Sequence, residues 1–341
     1  MPDQGYIILG FVGAFIIGVI LIPLLIPILR RLKFGQQILV QDGPSWHKKK
    51  QGTPTMGGIA FIVATAVSFL LFGFKFYREG AMMSNGVMGP SVALVVLVFS
   101  VLFSMIGFAD DMTKIRRKQN GGLTATQKLI FQGILSIFFI LYIGFLRGWD
   151  TSMLLPVFGV RIPLSFFYYV VAMLLISGFV NAVNLTDGVD GLCTTVTLPV
   201  AVFFCLTGAI MKLTDVSVLS AALLGSCAAF LVYNGNPAKI MMGDTGSFFL
   251  GSMVVGLSFA LDMPLVILLV GIVYFLEALS VMIQVFYFKV THGKRLFKMT
   301  PIHHSFELSG YSEWKICFLF GGVSLLACAL VLIWVFASFS V

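Results

Sequence analysis

Charge is what this chain has least of. Of 341 residues, only 11% are Asp, Glu, Lys or Arg, where a soluble globule carries about 25%. So few charges cannot cover a water-exposed surface, and a soluble globular protein is excluded. Histidine is scarcer still, at four. The five cysteines, Cys193, Cys205, Cys227, Cys317 and Cys328, show no CxxC spacing. They fall in or beside apolar runs and read as small packing residues, not as disulfides or metal ligands. No GxxxxGK[ST] loop and no HExxH pair occurs, which removes a Walker-type phosphate loop and a zincin site. No internal repeat is evident, so an inverted-repeat transporter has no support.

What fills the chain instead is apolar sequence: 59% hydrophobic, with a mean hydropathy of +1.02. A bilayer-spanning helix needs roughly 20 apolar residues. Ten such segments are expected, at about 7–29, 57–74, 91–109, 127–146, 164–185, 192–211, 216–233, 246–261, 264–288 and 315–338. Long unbroken runs argue for helices over a barrel, because lipid forces each backbone polar group to be satisfied within its segment. The first segment is too long, and lacks the basic leader, for a cleaved signal peptide. The expected fold is therefore an all-α integral membrane protein, a single polytopic domain over 1–341. Seventeen of the 22 Lys and Arg residues fall in alternate gaps and five on the opposite face. By the positive-inside rule the richer face is cytoplasmic and both termini are external. This bias accounts for the net charge of +8 without any nucleic-acid partner. Two β-like runs flanking Phe158-Gly159 predict a small external hairpin at 151–163. The long connection 289–314 predicts a short amphipathic helix at the interface, with His and Lys on its polar side.

The few acids are not scattered. Asp110-Asp111 closes the third segment, Asp187 and Asp190 lie in NLTDGVDGL, and Asp244 lies in MGDTGS, all on the richly basic face. Placing acids near lipid is costly, so such residues are functional suspects. Five carboxylates on one face suggest a divalent cation and a phosphorylated substrate. Asp244, between glycines just before a helix, suits Mg2+, which takes one or two carboxylates and completes its shell with phosphate oxygens and water. Asp110-Asp111 alone also fits a solvated helix end with an i,i+3 ion pair to Lys114. Asn181 and Asn184 share a helix side, and Gly188 and Gly191 permit close approach of backbone to a ligand. GTPTMGG at 52–58 resembles a flexible phosphate or base contact. His303 and His304 stand in a basic loop, suited to phosphate, metal-bound oxygen or sugar. Glu277 and Gln284 lie seven apart on one face of the ninth segment; a buried Glu there is paired or protonated.

In order, GTPTMGG, DD, NLTDGVDGL, MGDTGS and PIHHSFEL resemble the phospho-N-acetylmuramoyl-pentapeptide transferase family, within the polyprenyl-phosphate N-acetylhexosamine-1-phosphate transferases. The likeness spans nearly the whole chain. One departure is Ser305, where the family commonly has a third successive histidine. The resemblance implies ten spans, external termini and a cytoplasmic-face cleft. It implies transfer from UDP-N-acetylmuramoyl-pentapeptide to undecaprenyl phosphate, giving lipid I and UMP, with Mg2+. It implies Asp244 as metal ligand, Asp111 and Asp187 as supports, and Asp110 as base or lipid-phosphate contact. Lys50, Gly188 and Asp190 become nucleotide contacts. Asn184, Asn234, Lys114, Lys128, His303 and His304 complete the cleft, with Asn181 and Gln284 as further substrate-binding candidates. Direct attack and a covalent aspartyl intermediate both stay open. A transferase using UDP-N-acetylglucosamine and an ion-coupled transporter or flippase are the alternatives. The residues do not set the oligomeric state; a homodimer is compatible with them.

Overall fold

Apolar helices make up most of the computed structural model, which describes residues 2–32, 52–73, 81–82, 88–89, 91–117 and 121–339. Lys50, the expected nucleotide contact, lies outside these residues. The helices are α1 (Pro2–Arg31), α2 (Gly58–Phe72), α3 (Val92–Arg117), α4 (Ala125–Leu146), α5 (Phe167–Thr186), α6 (Leu192–Ile210), α7 (Thr214–Asn234) and α8 (Gly243–Ala260). A 3-10 turn (Pro264–Val266) and a short α9 (Ile267–Val270) lead into α10 (Ile272–Val290). The six-residue α11 (Ile302–Glu307) and then α12 (Glu313–Phe339) complete the chain. Eight of these helices are long and apolar enough to cross a membrane: α1, α3 to α7, α10 and α12. α2 is apolar but has 15 residues.

The segment expected as one span at 264–288 is broken at Gly271. A Cβ there would lie 2.6 Å from the Ile267 carbonyl and 2.8 Å from the Phe179 ring. The break thus sits where the chain passes close to Phe179 of α5. α8 is the centre of the bundle: every residue from Thr245 to Phe259 is buried, as expected of a helix apolar all round. Small residues let its neighbours in. A Cβ on Gly107 of α3 would collide with the Asp244 carbonyl, and one on Gly58 of α2 with Gly246. Buried hydroxyls join helices elsewhere, as in Thr65 with Ser226 at 2.7 Å and Ser68 donating to the Gly10 carbonyl at 2.7 Å. Large apolar side chains such as Ile8, Leu24, Phe138, Phe318 and Ile333 point outward, the inverse of a soluble surface.

The hairpin between α4 and α5 is present: β3 (Ser152–Leu155) pairs antiparallel with β4 (Val160–Pro163), Leu155 opposite Val160. Arg147 anchors it, bonding the Ser152 carbonyl at 3.1 Å and Asp262 at 2.8 Å. A two-residue ladder, β1 (Ala81–Met82) with β2 (Met88–Gly89), has no counterpart in the sequence reading, because runs this short carry no periodicity. None of the five cysteines forms a disulfide, and four are buried.

Candidate active site

Opposite the hairpin, three helix ends bring the acids together. α3 carries Asp110, Asp111 and Lys114 within its last turns. α4 begins after a capping box in which Thr124 and Gln127 satisfy each other's backbone N–H groups, and this fixes Lys128 one turn in. α8 starts at Gly243, whose φ of +71° suits glycine. A Cβ there would also lie 2.7 Å from Asp111 Oδ2. That turn delivers Asp244 beside Asp111.

The resulting network is dense. Lys114 Nζ lies 2.7 Å from Asp110 Oδ2 and 3.0 Å from Asp244 Oδ2. Lys128 Nζ repeats the pattern, at 3.0 Å from Asp110 Oδ1 and 3.0 Å from Asp244 Oδ2. Asn184, at the end of α5, donates to Asp244 Oδ1 at 3.0 Å and to Ser247 Oγ at 2.8 Å. Asp111 works differently. Its oxygens accept from the backbone N–H groups of Asp244 and Thr245 at 3.2 and 2.9 Å and from the Thr245 hydroxyl at 2.7 Å. It therefore caps α8, and its negative charge opposes the positive end of that helix. Asp110 and Asp111 are 0% and 4% exposed, so the solvated-helix-end alternative falls. The ion pair that forms is Asp110 to Lys114, one turn apart, and not Asp111 to Lys114.

Asp110, Asp111 and Asp244 each offer an oxygen, and these lie within 4.8 Å of one another. All three donors are hard oxygens, which suits a hard divalent cation such as Mg2+. Three carboxylates against two ammonium groups leave one negative charge in excess, so the donor set and the charge both fit. Among the described residues Asp187 is not one of the three.

The other expected residues form a second tier. Asp190 Oδ2 accepts from Asn236 at 3.1 Å and from the Ala238 backbone at 2.9 Å, while its own N–H bonds Glu313 at 2.8 Å. It ties the α7–α8 connection to the start of α12. Asn234 donates to the Ile240 carbonyl at 3.0 Å and accepts from Thr194 at 3.1 Å. Asn181 donates to Gln132 at 3.0 Å and to the Ser177 carbonyl at 2.7 Å. Gln284 Oε1 accepts from the Leu296 and Phe297 backbones at 3.1 and 2.9 Å, pinning the 291–301 loop. His303 is fully buried rather than on a polar face. A Cβ on Gly188 would collide with its ring. His304 Nδ1 lies 2.6 Å from Glu307. Ser305 donates to the Met299 carbonyl at 2.5 Å and accepts the Met299 N–H at 3.1 Å, so this hydroxyl closes the loop.

The GTPTMGG segment is a joint. Gly57 and Gly58 donate to the Met241 and Met242 carbonyls at 2.9 and 3.0 Å, and Met241 donates to the Pro54 carbonyl at 2.8 Å. Thr245, Ser247 and Gly122 also belong to the site, beyond the residues that the sequence singles out. A Cβ on Gly122 would collide with Asp110, and the Leu123 N–H bonds Asp110 at 2.6 Å. Thr245 and Ser247 were legible as small polar residues in MGDTGS, and Gly121-Gly122 as a paired-glycine turn.

The chain resembles known proteins over most of its length. Residues 93–262 match the glycosyl transferase family 4 model. Residues 50–62 match phospho-N-acetylmuramoyl-pentapeptide-transferase signature 1. A phospho-N-acetylmuramoyl-pentapeptide-transferase of Listeria monocytogenes serotype 4b is 42% identical over 316 residues, 93% of this chain and 94% of that one. One from Bacillus thuringiensis is 41% identical over 330 residues, 97% and 98% of the two chains. At that identity and coverage, the chain belongs to the phospho-N-acetylmuramoyl-pentapeptide-transferase family.

Proposed function

We propose that this multi-pass membrane transferase moves phospho-N-acetylmuramoyl-pentapeptide from its UDP-linked precursor to undecaprenyl phosphate, giving lipid I and UMP for peptidoglycan synthesis. The observation that carries the reading is the double bridge. Lys114 and Lys128 each touch Asp110 and Asp244 across three helix ends. Such an arrangement holds positive charge where phosphates meet and keeps it from drifting. In the reaction an oxygen of the lipid phosphate bonds to the sugar-side phosphorus, and the bond to UMP breaks. Little covalent chemistry falls to the protein, so positioning and charge neutralisation dominate.

Asp244 and Asp111 are the residues that would hold Mg2+, with Asp187 in support; bound there, the ion neutralises charge on the diphosphate. Asp110, between the two lysines, orients the lipid phosphate or takes its proton. Asn184 holds Asp244 in register. Lys50, Gly188 and Asp190 contact the nucleotide, and Asn181, Asn234, Gln284, His303 and His304 frame the cleft. The cluster faces the cytoplasm of a bacterial plasma membrane. α2 and α8 join the eight longer helices to make ten spans, and both termini are external. A lipid acceptor stays at that interface while its soluble donor arrives from the basic side.

Carrier-dependent UMP release from two donors tests the reading. Release from UDP-N-acetylmuramoyl-pentapeptide, and not from UDP-N-acetylglucosamine, is expected. The reverse preference would reassign the substrate, and release from neither would end the transferase proposal.

A further inference from the structure

Glu277 and His303 are both completely buried, one in the second turn of α10 and the other in α11. Glu277 Oε2 faces His303 Nδ1 at 3.1 Å and also accepts the His303 backbone N–H at 3.5 Å. One carboxylate thus fixes both the main chain and the ring of the same residue. A carboxylate only accepts, so Nδ1 carries a proton whichever charge the ring bears. Nε2 is then left on the opposite edge. It is buried without a hydrogen-bond partner among the described residues. It is also the His303 atom nearest to where a Cβ on Gly188 would stand. Gly188 follows Asp187 directly at the end of α5, on the side of the bundle where Asn184 grips Asp244. Buried polar atoms are nearly always paired, so an imidazole edge kept bare against a glycine calls for a reason other than packing.

We propose that Glu277 is a positioning residue. It locks the His303 ring with Nδ1 protonated and presents Nε2 across Gly188 to the phosphate or sugar of the substrate. The inference rests on the transferase reading for the identity of that substrate. The side-chain pairing itself does not depend on it. A Gln at 277 keeps the size but offers either an oxygen or an NH2 to the ring, so the tautomer is no longer fixed. Glycine at 188 is required by the same contact, since any Cβ would push the ring away.

Two measurements test this. In 1H–15N correlation spectra of histidine-labelled protein, the His303 signal, assigned by its loss in His303→Ala, should show a protonated Nδ1; an unprotonated Nδ1 overturns the proposal. In steady-state UMP release, Glu277→Gln should lower kcat by at least about tenfold, with KM for the UDP precursor near that of the parent. Adding Glu277→Gln to His303→Ala should cost no more than about twofold further, because the carboxylate acts only through the ring. Losses that multiply would assign Glu277 an independent role and sink the proposal. If the parent releases no UMP, the transferase reading fails while the spectrum still decides the pairing. If Glu277→Gln does not fold, the parent spectrum decides it too.

Discussion

Asp244→Asn changes one charge in a site where every neighbour of that charge is defined. The amide oxygen can still accept from Asn184, now 3.0 Å from Oδ1. The amide NH2 must then face the two ammonium groups that now sit 3.0 Å from Oδ2. Lys114 and Lys128 keep only Asp110, and the excess negative charge that suits a divalent cation is gone. Removing one preorganised electrostatic partner costs about 10²–10³ in kcat, about 2.7–4 kcal/mol. Fold stability should suffer far less. Lys114 and Lys128 are 31% and 21% exposed and each keeps Asp110 as a partner, so both can turn partly to water. The assay is carrier-dependent UMP release by purified protein at saturating Mg2+, alongside the thermal midpoint in the same detergent. Turnover within about threefold of the parent, under 1 kcal/mol in barrier, would refute the assignment. A collapse of the midpoint together with activity would show that the residue serves folding instead.

Gly58→Ala should drive α2 away from Gly246, with which the new Cβ would collide; overpacking of this kind costs about 1–3 kcal/mol, and an unchanged thermal midpoint would contradict the close crossing. The Ser152 backbone N–H, with Arg147 and Arg161 beside it, holds the Asp150 carboxyl below the usual carboxylate range. A depressed folded-state value means stabilisation that is complete above the unfolded value, near pH 4, and is lost as pH falls through the folded one. Hydrogen exchange of the 152–163 hairpin should therefore quicken in acid, and in Asp150→Asn that acid dependence should vanish. Thr53→Cys and Lys298→Cys should react with an impermeant thiol reagent only from the cytoplasmic side and Gly159→Cys only from outside. Labelling of Gly159→Cys from the cytoplasm would break the topology.

Much of this fold was legible because lipid leaves few options. Long apolar runs become helices, and the β-like runs about Phe158-Gly159 paired as expected. The break at Gly271 was not legible, because hydropathy sums over Leu268 to Val273 without registering a close approach to Phe179. Within the site, Asp110, Asp111 and Asp244 stood out because acids at the ends of apolar runs are costly beside lipid. Their division of labour did not. Asp110 takes lysines and Asp111 takes backbone N–H groups, and only the start of α8 against α3 decides that. Glycines carry more than the sequence tells. Gly58, in GTPTMGG, suggests a phosphate or base contact and Gly188 the close approach of a ligand, and each also admits another part of the chain, Gly246 for the first and the His303 ring for the second. The Glu277–His303 pair joins residues 26 apart through a loop whose path no periodicity reveals.

If the acids and lysines at these helix ends carry out metal-assisted transfer of a phosphosugar to a lipid, the sugar must pass from water into an organic-soluble product. The most direct measurement follows radiolabel from UDP-N-acetylmuramoyl-pentapeptide into organic-extractable lipid, using purified protein and undecaprenyl phosphate, before and after chelation. Label should enter the lipid in step with UMP, be lost on chelation and return with Mg2+. Label that stays in the aqueous phase, or transfer indifferent to chelation, would contradict it.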